Sequence, residues 1–484
     1  MKLDVHQGLV TLSVDTLDEK ELIKQLAEAK AYSEKSYVVW EKDPVTQRKK
    51  KRFDKARVYH QVFKTDSNFR RISYSIGLHD PVLSTLLRLG YDPKDLIIPL
   101  KTPLLISEKW LEILRDGQKE ILMKLLQRNN GVAKLYTGLG KTELQLALIE
   151  SYLTWHPDRY ALVLVPTNSI RDEWVLRMKK WEVDSKRIHI VNPVGLMRRN
   201  NKKELINKIQ SPGIVTADEV HHIKAASWIK LINSLTKVQY IYGFSATPEV
   251  TGEDIHESTN LLSRVYPLVA YQLAALMGPV RVSRTPNEKE VEIRLIRGPI
   301  AEVPVSLDES HYIEAIEKTL LSPVLVNILT KDLIKTANMK LYIPVITKDT
   351  GTRLAAMFAS KGIGTIYWDS GKAIFLKGKE LTALNGLDDI KKFISDNTAR
   401  VLITTSLSYE GVDLPALNAV LLAHGKNDRM ILQPLGRSSR GDHIRIYLPW
   451  DTNNPVAISQ TSQRLRVIAR DYKIAKRTTV EIPM

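Results

Sequence analysis

The chain has no cysteine in 484 residues. That excludes disulfides, thiol nucleophiles and zinc held by thiolates. No apolar run approaches the roughly 18 residues that a membrane span requires. The opening Met1-Lys2-Leu3-Asp4-Val5 carries charge where an export signal carries an apolar core, so neither membrane insertion nor export is expected, and a cytoplasmic protein is. Acidic residues are outnumbered: 54 Asp and Glu against 71 Lys and Arg give a formal charge of +17. An excess of that size favours polyanionic partners.

The charge is unevenly placed. From Glu41 to Arg71 there are eleven basic and four acidic residues, centred on Arg48-Lys49-Lys50-Lys51-Arg52. From Thr461 to Arg477 there are six basic residues and only Asp471 to oppose them. One such run is ordinarily a solvated face; two point to nucleic acid. Trp40, Phe53, Tyr59, Phe63 and Phe69 lie in or beside the first run. They would stack on bases or form the core side of two or three strands, and sequence alone leaves both open.

The length is too great for one core, so several domains are expected. Residues 1–100 read as a small basic α+β domain, with Leu9–Val14 alternating as a strand and Asp18–Ala31 spaced as a helix. Beyond it, Leu135-Tyr136-Thr137-Gly138-Leu139-Gly140-Lys141-Thr142 follows a short apolar strand and precedes a helix. Strand, glycine turn, Lys-Thr and helix make a phosphate cradle. Thr137, Gly138 and Gly140 would line it, Lys141 would reach the β- and γ-phosphates of ATP, and Thr142 would ligate Mg²⁺. The full pattern places a glycine where this chain has Leu135. Upstream, Gln118 has an amide able to read an adenine edge, or is a surface residue of its helix.

Further strands end in polar turns. Tyr160–Val165 ends in Pro166-Thr167, at the kind of strand terminus where open α/β sheets bind ligands. Gly213–Ala217 delivers Asp218-Glu219-Val220-His221-His222. Asp218 suits a Mg²⁺ ligand and Glu219 a base for an attacking water, with His221 linking them to a neighbour. The His-His pair has no cysteine or spaced histidine to complete a zinc site. Tyr240–Phe244 then leads to Ser245-Ala246-Thr247-Pro248, whose hydroxyls can bond to the acidic pair.

The ordered set Thr-Gly-Leu-Gly-Lys-Thr, Val-Pro-Thr, Asp-Glu-Val-His and Ser-Ala-Thr resembles the first lobe of superfamily 2 helicases and translocases of the DExH group. The second lobe follows. Ser406–Pro415 is similar to the family's motif V, and Gln433–Arg440 to motif VI. The resemblance implies that Gly411 and Asp413 touch nucleotide, and that Thr404, Thr405, Pro166 and Thr167 touch a nucleic-acid strand. It also implies that Gln433 couples the lobes and that Arg437 and Arg440 reach the triphosphate, while Pro434 stands where relatives carry arginine.

The implied fold is two RecA-like α/β lobes with mainly parallel sheets, lobe one at 101–265, a linker region at 266–310 and lobe two at 311–484. A narrower resemblance, to phage helicases of the UvsW type that remodel branched DNA, including that of T5-like phages, rests on compact size, the short basic amino-terminal domain and the lack of long insertions. It implies a monomeric ATP- and Mg²⁺-dependent DNA helicase acting at forks or junctions in the host-cell cytoplasm. A DExH RNA helicase, a duplex translocase that does not separate strands, and a non-catalytic binder are the competing readings.

Overall fold

The computed structural model describes residues 1–6, 9–42, 49–96, 104–199, 201–248, 254–286, 289–301, 312–369, 372–405, 417–425, 428–438 and 443–483, without side-chain detail at 5–6, 32–59, 202, 312, 428–429, 437–438 and 443. These residues form two compact units. One comprises Met1–Lys134, Thr142–Arg171 and Arg177–Ser283; the other comprises Leu135–Lys141, Asp172–Leu176 and Arg284–Met484.

The strands of the first unit begin with β1 (Lys2–His6), β2 (Leu9–Ser13), β3 (Lys30–Lys42), β4 (Lys49–Gln61), β5 (Lys64–Thr65) and β6 (Arg71–Ser75). They continue with β7 (Asn130–Leu135), β8 (Ala161–Leu164), β9 (Ile188–Val191), β10 (Ile214–Asp218), β11 (Tyr240–Ser245), β12 (Tyr266–Pro267) and β13 (Val280–Arg284).

An antiparallel sheet of order β1-β2-β6-β5 opens the chain. Strand alternation puts Val10, Leu12, Ile72 and Tyr74 inside, while Thr11 and Ser73 share a hydrogen bond on the other face. The helix Leu17–Leu26 starts where the Thr16 hydroxyl accepts from Glu19 N–H, and it stops five residues short of the Ala31 suggested by periodicity. Ala29 and Ala31 are buried as that periodicity requires, but Ala31 is already in β3. Of the aromatics in the basic stretch, Phe63 is core, edge-on to Tyr74.

The core of this region is completed from far downstream. Ile255, Leu261, Tyr266, Ala270, Tyr271 and Ala274 pack in one cluster with Val10, Leu12, Ile23, Leu78 and Val82. β12 adds to β3 at Ala31 and Tyr32. Gly77 lies so close to the helix Leu268–Met277 that a Cβ there would meet Ala274 O at 2.0 Å, so only glycine fits. Asp80 receives a charged hydrogen bond from Arg281 Nη2 at 2.5 Å, and Arg128 approaches it at 3.4 Å. Burial alone would raise the Asp80 pKa; the Arg281 and Arg128 charges more than offset this and hold it below the usual carboxylate range.

A six-stranded sheet of order β13-β7-β11-β10-β8-β9 carries the rest of the unit. β7, β11, β10, β8 and β9 run parallel. β8 and β10 are buried along their whole length, which explains their near-continuous apolar sequence.

The second unit holds β14 (Glu290–Gly298), β15 (Leu341–Val345), β16 (Thr365–Asp369), β17 (Lys372–Lys377), β18 (Glu380–Leu384), β19 (Val401–Thr405), β20 (Ala419–Leu421), β21 (His443–Asp451) and β22 (Lys473–Glu481). They form one sheet of order β18-β17-β16-β19-β15-β20-β21-β14-β22. Only the β16-β17-β18 edge is antiparallel. Successive residues feed opposite faces: Tyr342 and Leu402 enter one core, Leu341, Ile343, Val401 and Ile403 the other. The α/β class with two mainly parallel sheets is therefore the one expected. Residues 266–310 contribute β12, β13 and β14, so strands of both units come from that stretch. No described helix is long and apolar enough to cross a membrane.

Candidate active site

β11 lies between β7 and β10, and all three are parallel. Ser245 is level with Lys134, and Phe244 with Asp218. The chain therefore leaves all three strands at the same sheet edge, where doubly wound sheets bind ligands. From β7 it enters the turn 136–140 and the helix Lys141–Trp155. Gly138 and Gly140 have φ of +89° and +95°, the region that a side chain disfavours, so the turn needs glycine at both. Leu135 ends β7 and is fully buried, so the position where the full pattern has glycine is here an ordinary strand residue. Tyr136 N–H donates to Arg284 O at 3.2 Å. Glu143, next to Thr142, pairs with Arg177; the partners are 34 positions apart and no local pattern announced them.

Asp218 ends β10, and Glu219 follows with φ +47° and ψ +54°. This left-handed bend is costly for a residue with a side chain. It turns the carboxylate out of the strand path. Asp218 Oδ1 accepts from Glu219 N–H at 3.1 Å, and both acids are 7% exposed. Gly243 in β11 makes room for the bend, since a Cβ there would meet Val220 Cγ2 at 2.8 Å.

Ser245 joins the two strands. Its Oγ contacts Glu219 Oε2 at 3.2 Å, Thr247 N at 3.1 Å and His221 Nδ1 at 3.0 Å. A hydroxyl has one proton and two acceptor positions. The proton goes to the carboxylate, the Thr247 N–H fills one acceptor position, and the other must take a proton from His221. The network thus assigns His221 the Nδ1–H tautomer. Nδ1 is also 3.4 Å from Glu219 Oε2. The sequence-selected residues Glu219, His221, Ser245 and Thr247 are therefore brought together around one carboxylate.

Other selected residues have local duties. Gln118 is buried, and its Oε1 accepts from Arg115 N–H at 2.9 Å at the start of the helix Asp116–Leu125. The Thr167 hydroxyl, just after Pro166, accepts from Ile170 N–H and caps the helix Asn168–Lys180. In the second unit Thr404 bonds to Tyr342 Oη at 3.0 Å and Thr405 donates to Asp369 Oδ1 at 2.5 Å, so both hydroxyls are engaged inward. Gln433 is buried on the helix Asp428–Ser438, which contains Pro434 and Arg437. The Arg437 side chain, together with Arg440, Gly411, Asp413 and Arg48, lies outside the described residues, and Lys49, Lys50, Lys51 and Arg52 are described only as backbone of β4.

Of the carboxyl-terminal basic run, one residue is withdrawn from the surface, while Arg466, Lys473, Lys476 and Arg477 stay exposed. Arg464 is fully buried, donating to Gly425 O at 3.0 Å and to Gln460 Oε1 at 2.5 Å. Arg470 pairs with Asp471 at 2.6 Å.

Residues 112–250 match the family described as Type III restriction enzyme, res subunit. The chain is 23% identical over 381 residues to the DNA 3'-5' translocase XPB2 of Sulfurisphaera tokodaii, covering 68% of this chain and 78% of that one. Among solved structures it is similar to the DUF1998 helicase MrfA bound to DNA and AMPPNP, with a TM-score of 0.51 and 14% identity over 77% of this chain and 54% of that one; this likeness shows the fold. A comparison with T4 UvsW covers 99% of both chains at 14% identity and a TM-score of 0.39. The matched segment and the translocase relative, on a fold of two mainly parallel sheets, support a helicase or translocase of superfamily 2, a family of ATP-hydrolysing, nucleic-acid-dependent enzymes.

Proposed function

We propose that the chain is an ATP-dependent DNA helicase of the UvsW type, translocating on and unwinding or branch-migrating forked and junction DNA in phage replication, recombination or repair. The observation that carries the catalytic part is the saturated Ser245 hydroxyl, which holds Glu219 at the same sheet edge as the phosphate turn. DNA rather than RNA is favoured by the translocase relative, whose name specifies DNA.

The residues fit Mg²⁺–ATP. The two positive-φ glycines allow a turn of the kind whose backbone N–H groups can face an anion, and the helix Lys141–Trp155 begins at the same point. Thr142 and Asp218 supply the oxygen donors that Mg²⁺ prefers. Bound Mg²⁺–ATP supplies the phosphoanhydride to be cleaved and a cation that offsets its charge. Lys141 binds the β- and γ-phosphates. A Glu219 carboxylate oxygen takes the proton of the attacking water. The Ser245 O–H orients that carboxylate, and His221 donates to the same hydroxyl, so the state of Glu219 is communicated to Thr247 and the segment beyond. Arg437 and Arg440 stabilise charge building on the transferred phosphoryl, a role worth about 10³–10⁵ in rate in related phosphoryl-transfer enzymes.

The deciding experiment measures ATPase and strand displacement on matched single-stranded, forked, three-way and four-way DNA, with an RNA control. Stimulation by forked or junction DNA above RNA is expected. Stronger stimulation by RNA would overturn the DNA assignment. Triplex displacement without fork unwinding would replace helicase by duplex translocase.

A further inference from the structure

The backbone pairing of β3 and β4 sorts the first basic run into two unlike faces. The strands are 13 residues each and pair without a bulge from Lys30↔Gln61 to Lys42↔Lys49. β12 covers only Ala31 and Tyr32, so among the described residues the other rungs form a two-stranded ribbon. Strand alternation gives each residue and its cross-strand partner the same face. One face takes Lys42↔Lys49, Trp40↔Lys51, Val38↔Phe53, Ser36↔Lys55 and Glu34↔Arg57. Its positions are five basic and one acidic, with two aromatics. The other face takes Glu41↔Lys50, Val39↔Arg52, Tyr37↔Asp54 and Lys35↔Ala56. Its positions are three basic and two acidic, so the charge there nearly cancels.

We infer that the Lys49–Lys51–Lys55–Arg57 face of the ribbon is the surface on which this protein holds duplex DNA, with Trp40 and Phe53 at its centre. The inference rests on, and makes specific, the DNA-helicase reading above. A ladder of five basic positions needs a regular polyanion. Lys49 to Arg57 spans about 26 Å at strand rise, near eight base-pair steps. A two-stranded ribbon is also one of the two elements that a B-form major groove admits. The A-form major groove is too deep and narrow to be entered, which selects DNA over RNA duplex.

The test compares two full-length triple variants that lose the same charge. Lys49→Gln/Lys51→Gln/Lys55→Gln alters the basic face, and Lys35→Gln/Lys50→Gln/Arg52→Gln the opposite one. Kd for a labelled blunt duplex is measured across salt concentrations, beside single-stranded DNA and duplex RNA of equal length. Thermal unfolding of both variants serves as the folding control. The basic-face triple is expected to weaken duplex-DNA binding at least about tenfold, and to reduce the salt slope by about 2.7, at roughly 0.9 per phosphate contact. The opposite triple is expected to change the slope by less than one. Equal losses from both triples, or an equal loss on duplex RNA or single strands, would overturn the inference. Wild-type ATPase is measured in parallel. Absent turnover with the face-specific effect intact would reject the helicase reading and leave the duplex-binding face standing.

Discussion

Lys134 Nζ and Asp254 Oδ2 meet at 2.5 Å, one at the end of β7 and the other 120 positions later. The Asp254 side chain is 3% exposed, so this is a buried charge answered by a partly buried one. It joins the strand that leads into the glycine turn 136–140 to the segment that completes the amino-terminal core.

Removing one partner strands the other charge. Asp254→Ala is expected to destabilise the first unit by about 3 kcal/mol. The double variant Lys134→Met/Asp254→Leu should recover most of that loss. Urea unfolding checks both, and a single variant as stable as wild type would dissolve the argument.

Ser245 spends its one proton on Glu219. Ser245→Ala should lower kcat roughly tenfold with little change in KM for ATP, because a hydrogen bond to a charged group contributes about 1.5–3 kcal/mol. Ser245→Thr keeps the hydroxyl and should restore most of the rate. Equal losses in both variants would mean that packing, not the hydrogen bond, is what matters.

Lys141→Ala should abolish ATPase while leaving most DNA binding, since phosphate contacts elsewhere carry affinity. Arg437→Ala should retain ATP binding and slow hydrolysis by a factor on the order of 10³. Single-turnover kinetics and nucleotide-binding titrations separate the two. An unchanged kcat in the arginine variant would remove its assigned role.

His424 is 3% exposed, and burial pushes its pKa down to about 3, with the Arg464 cation adding to the effect. The unfolded chain binds this proton near the ordinary value of 6.5 and the folded chain does not. Stability from His424 is therefore full above pH 6.5 and lost as pH falls toward 3. Between pH 6.5 and 5 the wild type should lose about 2 kcal/mol more than His424→Gln, at about 1.4 kcal/mol per unit. Urea titrations at the two pH values decide it, and equal losses would reject the assignment.

What the sequence made readable was local. The apolar runs at Ala161–Leu164 and Ile214–Asp218 are buried strands because a parallel sheet covered on both faces admits little else. The Gly-Lys-Thr turn and the Asp-Glu and Ser-Ala-Thr segments declared themselves by composition, and sheet order brought them to one edge. What stayed hidden was long-range. Glu290–Leu295 alternates visibly, yet nothing in it shows that β14 lies between β21 and β22, more than 140 residues downstream. Arg464 reads as surface charge until its partners at Gln460, Thr461 and Gly425 are seen. Gln118 was legible as an amide near the phosphate turn, but its burial and the bond that its carbonyl oxygen accepts from Arg115 N–H were not.

The amino-terminal sheet and the segment 255–274 share a single interior. Excising the first ninety-odd residues would not yield a trimmed motor. It would strip the cover from Tyr266, Ala270, Tyr271 and Ala274 and leave a greasy scar that invites clumping. The amino-terminal sheet and the segments that carry Asp218, Glu219 and Ser245 belong to one compact unit of this chain, so the duties proposed for that sheet are best dissected one side chain at a time.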